Sequence, residues 1–115
     1  MTPAQRNRER CKRNIKVAQW KRMGIHFNGQ KLTWDIWKAL LKFQEHQCAL
    51  CHRSDIFGQL VADHNHKTGE LRGALCTSCN MKAVNIYERK GHYYCSKADA
   101  LIENYLKYPP ANKLR

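Results

Sequence analysis

The chain has 115 residues, of which 21 are lysine or arginine and nine are aspartate or glutamate, so its formal net charge at pH 7 is +12. No stretch stays apolar for the roughly 18 residues that a membrane-spanning helix needs, and no apolar segment follows the basic N-terminus as it does in a secretory signal. The sequence therefore predicts no membrane-spanning helix and no secretory signal. We expect an intracellular protein whose partner is a polyanion, with nucleic acid as the first candidate.

The positive charge is concentrated at the N-terminus. Residues 1–31 contain nine lysines and arginines and a single acid, Glu9. Residues 4–22 have helical composition but only a thin apolar stripe, which is too narrow for a core helix. We predict that residues 1–31 form a basic DNA-binding helix or arm with its linker, ahead of a domain over residues 32–115. A solvated tail is the open alternative. The cations expected to contact phosphate are Arg6, Arg8, Arg10, Lys12, Arg13, Lys16, Lys21 and Arg22.

Turn residues separate the arm from a second helix. Gly24 and the Asn28–Gly29 pair predict a turn-rich linker. Thr33 is typical of an N-cap and predicts a helix from Trp34 to about Glu45. We expect its broad apolar face to pack on the metal-bound unit formed by the cysteines that follow, with the Trp residues in the core rather than stacked on bases. This face comprises Ile36, Leu40 and Phe43, flanked by Trp34, Trp37 and Leu41.

Two Cys-x-x-Cys pairs, Cys48/Cys51 and Cys76/Cys79, bracket the middle of the chain. In a reducing compartment such pairs favour a metal site over disulfides. Four thiolates arranged tetrahedrally satisfy Zn²⁺ and leave no open position, so the predicted site is structural. A disulfide pair or a redox motif is the open alternative.

Strand and helix signals fill the space between and after these pairs. A loop through Gly58 precedes a short strand over Gln59–Asp63, and a turn at residues 67–69 leads to a return strand over Glu70–Leu75. A helix is predicted from about Ser78 to Tyr87. The local order is thus strand, loop, strand and helix.

The C-terminal part predicts one more helix. Gly91 interrupts the chain, and Ser96 followed three residues later by Asp99 resembles a capping box. Pro109 and Pro110 end the helix. Its predicted apolar face consists of Ala98, Leu101, Ile102, Tyr105 and Leu106.

Polar residues that suit catalysis lie between and beside the cysteine pairs. Asp63 and the amide oxygen of Asn80 are hard oxygen ligands of the kind that Mg²⁺ prefers. His64 follows Asp63 and could act as a general base, because an imidazole titrates near neutrality. Asn80 directly follows Cys79, so a metal-bound knuckle would fix its position. In the alternative interpretation, residues 63–66 are a polar loop, or their histidines compete for the zinc.

The segment LVADHNHKTGELRGALCTSCN resembles the core of the recombination endonuclease VII family. These phage-type DNA nucleases belong to the His-Me finger, or ββα-metal, class. The preceding LTWDIWKALLKFQEHQCALC and the closing YLKYPP also resemble this family. The resemblance implies an α+β fold with a small zinc-stapled ββα-metal core, flanking helices and a basic N-terminal helix or arm. It also implies a phage-encoded protein acting in the cytoplasm of the host cell.

The resemblance further implies a role for individual residues. Asp63 and Asn80 would bind the catalytic Mg²⁺ or Mn²⁺, and His64 would activate water. His66 would assist, either as an orienting group or as a phosphate contact. The four cysteines would hold structural zinc. The products would carry a 5′-phosphate and a 3′-hydroxyl.

Two further cations lie close to these residues, Lys67 and Arg72. Both are candidate DNA contacts. Arg72 matches the family's Arg-Gly pair, and its alternative is a surface arginine on a strand. Double-strand cleavage would need a homodimer or two visits, because one site cuts one strand. A non-catalytic zinc-stapled DNA-binding module is the competing function. The two functions differ in that such a module has no need of Asp63, His64 and Asn80 together.

Overall fold

The computed structural model describes residues 2–55 and 59–115, which form an α+β fold with two small sheets. Gly58, part of the predicted loop, lies outside the described residues. The helices are α1 (Pro3–Met23), α2 (Trp34–Phe43), α3 (Asn85–Lys90) and α4 (Ser96–Lys107), and the strands are β1 (His26–Phe27), β2 (Gln30–Lys31), β3 (Val61–His64) and β4 (Leu71–Leu75). A π-helical segment, Cys79–Val84, leads into α3, and a 3₁₀ helix, Pro110–Leu114, follows α4. Across the described residues, no helix combines the length and apolar character needed to cross a membrane.

Helix α1 confirms the predicted basic helix. The Thr2 hydroxyl accepts a hydrogen bond from the Gln5 amide at 3.2 Å, and the Gln5 side chain accepts one from the Thr2 amide at 2.8 Å, which forms a capping box. Gly24 ends the helix in the left-handed conformation, at φ 70°. Trp20 is buried, whereas the helix is exposed through residue 15. The helix is therefore anchored by its C-terminal end and carries its cations into solvent.

The predicted linker is a hairpin that contributes to the core. Asn28 and Gly29 both have positive φ, at 52° and 79°, as a tight two-residue turn between antiparallel strands requires. The turn was predicted, but the strands β1 and β2 were not. Ile25, Phe27 and Leu32 around this hairpin are buried in the same core as residues of α2 and β4. The division of the chain at residues 31 and 32 stays a prediction, and the hydrophobic core extends across it.

Helix α2 begins where it was predicted to begin. The Thr33 hydroxyl caps it by accepting from the Ile36 amide at 3.3 Å. Trp37 and Leu40 are buried, and Trp20 of α1 packs with a ring-centroid separation of 5.5 Å from Trp37. The placement of Trp37 in the core is thus confirmed.

The predicted burial of Phe43 is wrong, because Phe43 is 50% exposed. It lies at the last residue of α2, and the next residue, Gln44, occupies the position against the sheet. The Gln44 side-chain amide donates to the Ala74 carbonyl and accepts from the Ala74 amide, both at 2.9 Å. This pair of bonds satisfies the backbone groups of Ala74 at the free edge of β4.

Strands β3 and β4 form an antiparallel pair that contains a bulge. Val61, Ala62 and Asp63 pair with Leu75, Ala74 and Gly73, but His64 pairs with Leu71. Arg72 is therefore the extra residue of the pair. A bulge bends the strand locally and changes the direction of a side chain. Both strands lie within one or two residues of their predicted positions.

Helix α4 confirms the last predicted helix but not its cap. Cys95 is the N-cap residue, and it forms no side-chain capping bond. The predicted capping box is wrong, because the Asp99 carboxylate instead accepts from the Tyr93 amide at 2.7 Å and contacts the His92 ring. Ile102 and Tyr105 are buried as expected, whereas Leu101, at the margin of the predicted face, is 55% exposed.

Candidate functional site

The four cysteines of the two Cys-x-x-Cys pairs converge. One ligand atom from each of Cys48, Cys51, Cys76 and Cys79 can be chosen so that all lie within 4.8 Å of one another. Cys48 is buried and Cys51 is exposed, so the cluster lies at the margin of the core. Four convergent sulfur atoms suit a tetrahedral zinc ion, and this cluster could hold a structural zinc.

The ionisation of the thiols agrees with a cation site. Burial raises the pKa of Cys51 and of Cys79, and the neighbouring sulfur atoms raise both further. Burial alone would also raise the pKa of Cys48, but backbone hydrogen bonds from residues 50, 51 and 76 outweigh it and lower that pKa. Cys48 is thus favoured to ionise, whereas burial and the neighbouring sulfur atoms oppose the ionisation of Cys51 and of Cys79. A bound cation would remove this opposition and allow all four to act as ligands.

Next to this cluster, the carboxylate of Asp63 is enclosed by donors. Asp63 is 2% exposed, and Arg72 beside it is 7% exposed. The Arg72 Nε donates to Asp63 Oδ2 at 2.9 Å, and Arg72 Nη2 donates to Asp63 Oδ1 at 3.0 Å. The Tyr105 hydroxyl of α4 donates to Asp63 Oδ2 at 2.7 Å. Burial and the charge of Asp63 raise the pKa of Tyr105 well above its usual value, which keeps the hydroxyl protonated as a donor.

Arg72 also pairs with a second carboxylate, that of Glu88. Its Nη1 and Nη2 donate to the two Glu88 oxygens at 3.2 and 3.0 Å. Burial alone would lower the pKa of Arg72, but the hydrogen bonds to Glu88 and Asp63 outweigh it and raise that pKa. The bulge accounts for this geometry: in a regular ladder Arg72 would oppose His64, on the other face from Asp63. A phosphate contact by Arg72 would have to replace one of these two carboxylates.

A small pocket brings together three of the sequence-predicted site residues. Its volume is about 170 Å³, and Asp63, His66, Asn80 and Glu88 contribute to its lining. Asp63 comes from β3, Asn80 from the first turn of the π-helical segment, and Glu88 from α3. The hydrogen bond from the Asn80 amide to the Cys76 carbonyl, at 3.0 Å, ties this pocket to the second cysteine pair. Residues that carry a carboxylate, an amide and an imidazole thus line a common space.

His64 lies beside this pocket and is half-buried. Its ring lies edge-on to that of His66, with 5.0 Å between the centroids. Burial lowers the pKa of His64, the neighbouring His66 lowers it further, and the charge of Asp63 opposes these effects. The lowered pKa favours the neutral imidazole of His64, which can accept a proton.

A groove of about 180 Å³ separates α1 from the π-helical segment. Lys16, Gln19 and Met23 line its α1 side, and Asn80 and Met81 line the opposite side. Asn80 and Met81 also line the smaller pocket, so the groove leads to it.

The eight cations of α1 are not equivalent along this groove. The ammonium group of Lys16 donates to the Leu60 carbonyl at 3.0 Å and lies 5.5 Å from the Trp37 ring centroid, and burial lowers the pKa of Lys16. Lys16 is thus bound to the core, whereas the other seven are exposed. Lys67 is exposed as well, in the turn between β3 and β4.

The family model for recombination endonuclease VII matches residues 20–107, which include every residue of the pocket and the cysteine cluster. The chain belongs to the recombination endonuclease VII family. The match begins at Trp20 and therefore leaves most of α1 outside it.

Two curated phage proteins resemble this endonuclease VII family member. It is 36% identical to the Gene 59 protein of Mycobacterium phage D29 over 81 residues, which are 70% of this chain and 46% of that protein. It is 42% identical to the Gene 59 protein of Mycobacterium phage L5 over 50 residues, which are 43% of this chain and 30% of that protein. The chain thus spans less than half the length of each relative. No solved structure matches it significantly.

Two residues of the candidate site of this endonuclease VII family member were not predicted from the sequence, Glu88 and Tyr105. Tyr105 is 42 residues from Asp63, and no local pattern joins them. The signals that could have indicated the contact are the Arg72–Gly73 pair and the YLKYPP segment, which contains Tyr105. Both segments resemble the family, but only the tertiary structure shows that Tyr105 contacts Gly73 and Asp63.

Proposed function

We propose that this endonuclease VII family member is a metal-dependent DNA endonuclease, which hydrolyses phosphodiester bonds to leave a 5′-phosphate and a 3′-hydroxyl. The observation that carries the proposal is the pocket shared by Asp63, Asn80 and His66, beside the imidazole of His64. A module that only bound DNA would gain nothing from a buried carboxylate facing such a pocket. The assembly of a ββα-metal core from β3, β4 and the following helical segment is part of this proposal.

Asp63 and Asn80 would hold the divalent ion, Mg²⁺ or Mn²⁺. The two residues come from different elements but line one pocket, and hard oxygen donors suit both ions. When bound, such an ion would neutralise charge on the phosphate and stabilise the leaving oxygen. The cysteine cluster beside it would take no part in the chemistry, because a closed four-thiolate site has no open position.

His64 is the proposed general base. Its lowered pKa favours the neutral ring, which takes a proton from the attacking water. Alternation along a strand would place the side chains of His64 and Asp63 on opposite sides of β3. This arrangement suits a mechanism in which the base and the ion act on opposite sides of the phosphorus. His66, exposed at the pocket, would orient the water or contact the phosphate.

DNA would approach along the groove beside α1. Helix α1 supplies exposed cations. Lys16 and Gln19 of this helix line the groove, and Asn80 lines it on the opposite side. Contacts of this kind with phosphates fix the position of the DNA without reading its sequence. Lys67, exposed in the turn between β3 and β4, would add a further phosphate contact.

The setting of the reaction follows from the same proposal. The curated relatives are phage proteins, which supports action within the infected host cell. One pocket per chain would nick one strand, so a double-strand break would require a homodimer or two successive visits.

Incubation of supercoiled plasmid with the purified chain tests the proposal. We expect conversion to nicked circles that depends on Mg²⁺. His64→Ala should lower the nicking rate by about 10²–10⁴-fold, which is the usual contribution of a general base, and should retain DNA affinity and zinc content. His92→Ala removes an imidazole that is exposed and contacts Asp99, so it serves as the matched control.

Two results would contradict the endonuclease. The parent chain could fail to nick plasmid with either Mg²⁺ or Mn²⁺, or His64→Ala could nick at the parent rate. In the first case, salt-sensitive DNA binding by the parent would favour the alternative of a non-catalytic zinc-stapled DNA-binding module.

A further inference from the structure

The hydrogen bonds to Asp63 leave its two oxygens in different states. Oδ2 accepts from both Arg72 Nε and the Tyr105 hydroxyl, whereas Oδ1 accepts from Arg72 Nη2. An ionised carboxylate offers about four lone-pair sites, two on each oxygen. Within the described part of the chain, Oδ2 is therefore saturated, and Oδ1 keeps one lone pair for another partner.

We propose that Tyr105 is a positioning residue for the divalent-ion ligand Asp63. Together with Arg72, it would reserve Oδ1 for the ion and prevent Asp63 from binding through both oxygens. This inference rests on the proposed function, because it concerns the same ion. It gives helix α4 a part in the ion site, although no residue of α4 lines the pocket.

Asymmetric occupation of the carboxylate suits the chemistry of the site. Mg²⁺ binds few protein oxygens and keeps water or substrate oxygens in its remaining positions. A ligand restricted to one oxygen would leave those positions open. Partners behind a metal ligand commonly fix its orientation in this way.

The charge of Arg72 would oppose a cation at Asp63, and Glu88 offsets it. Arg72 pairs with both carboxylates, so the three side chains together carry one net negative charge. Glu88, which is 36% exposed, thus balances the buried guanidinium and leaves the pocket attractive to a cation. This pairing lets Arg72 orient Asp63 without cancelling its charge.

Gly73 permits the approach of Tyr105. A Cβ atom at this position would lie 2.9 Å from the Tyr105 hydroxyl oxygen and 3.0 Å from Cε2 of the same ring. The Arg72–Gly73 pair therefore serves one carboxylate in two ways. Arg72 donates to Asp63, and Gly73 leaves room for Tyr105 to do the same.

Binding of Mn²⁺ in the absence of DNA tests this role, measured by water-proton relaxation with the zinc-loaded chain. Tyr105→Phe retains the ring and removes the donor. We expect the dissociation constant for Mn²⁺ to rise by about 10- to 100-fold, as for other partners of metal ligands, with circular dichroism and zinc content unchanged. Tyr108→Phe, on an exposed tyrosine at the end of α4, should bind Mn²⁺ like the parent.

A second variant keeps the test valid if Tyr105→Phe folds poorly. Arg72→Lys retains the positive charge but cannot donate to both oxygens of Asp63 from one planar group, so we expect it to weaken Mn²⁺ binding as well. Parent-like Mn²⁺ affinity in whichever of the two variants is folded would overturn the positioning role. If the parent still nicks plasmid in that case, the proposed function stands. If the parent neither binds Mn²⁺ nor nicks, both fail.

Discussion

Substitution of Gly73 by alanine would test the packing that brings Tyr105 to Asp63. The added methyl group would meet the Tyr105 hydroxyl oxygen at 2.9 Å, Tyr105 Cε2 at 3.0 Å and Pro110 Cδ at 3.2 Å. Tyr105 is 4% exposed, so its ring has no open space to move into. The backbone of Gly73 does not itself require glycine, because its φ is not positive.

The expected loss of stability follows from these contacts. Overpacking a well-filled core costs about 1–3 kcal/mol. For a chain of this size that corresponds to a fall in Tm of roughly 4–12 °C, at about 4 °C per kcal/mol. Denaturant unfolding followed by circular dichroism at fixed zinc concentration measures the free energy directly, and the m value should not change.

A double-mutant cycle separates the hydroxyl contact from the other two. In the Tyr105→Phe background the closest contact is absent, so Gly73→Ala should cost less by about 0.5–3 kcal/mol, the range found for residues in contact. Parent-like stability of Gly73→Ala would show that Tyr105 does not approach Gly73 as described, and an undiminished cost in the Tyr105→Phe background would show that its hydroxyl does not.

Two further predictions concern α1 and the cysteine cluster. Lys12 lies on the groove side of α1, four residues before Lys16, whereas Lys21 projects from the opposite side at about 100° per residue. Lys12→Gln should therefore reduce the slope of log affinity against log salt by about 0.9, the effect of one phosphate contact, and Lys21→Gln should leave it nearly unchanged. Equal slopes for the two variants would argue against the groove as the DNA path. Chelation of zinc, or Cys76→Ser, should unfold the chain, since structural zinc supplies on the order of 10 kcal/mol and a domain of this size has about 5–15 kcal/mol in total. Cys95→Ser, which removes an exposed thiol outside the cluster, is the control. Cooperative unfolding of Cys76→Ser would refute the structural role of the zinc site.

Local signals in the sequence were sufficient for most of the elements. The Thr33 cap and the Asn28–Gly29 turn depend on backbone geometry within a few residues, and both lie where they were predicted. The failures involve competition from distant groups. Asp99 bonds to Tyr93 and His92 rather than completing a capping box with Ser96. Phe43, expected on the buried face of α2, is exposed, and the next residue, Gln44, bonds to β4 instead.

The sequence by itself determined the chemistry that the site can offer. It identified four cysteines at the spacing of metal ligands, and it placed Asn80 next to Cys79 and His64 next to Asp63, because adjacency along the chain survives folding. Tertiary structure alone decided the partners of Asp63. A bulge directs Arg72 onto that carboxylate, and the packing of α4 brings Tyr105 to it from 42 residues away. Such contacts depend on how the elements pack against each other, and no spacing within one segment encodes them.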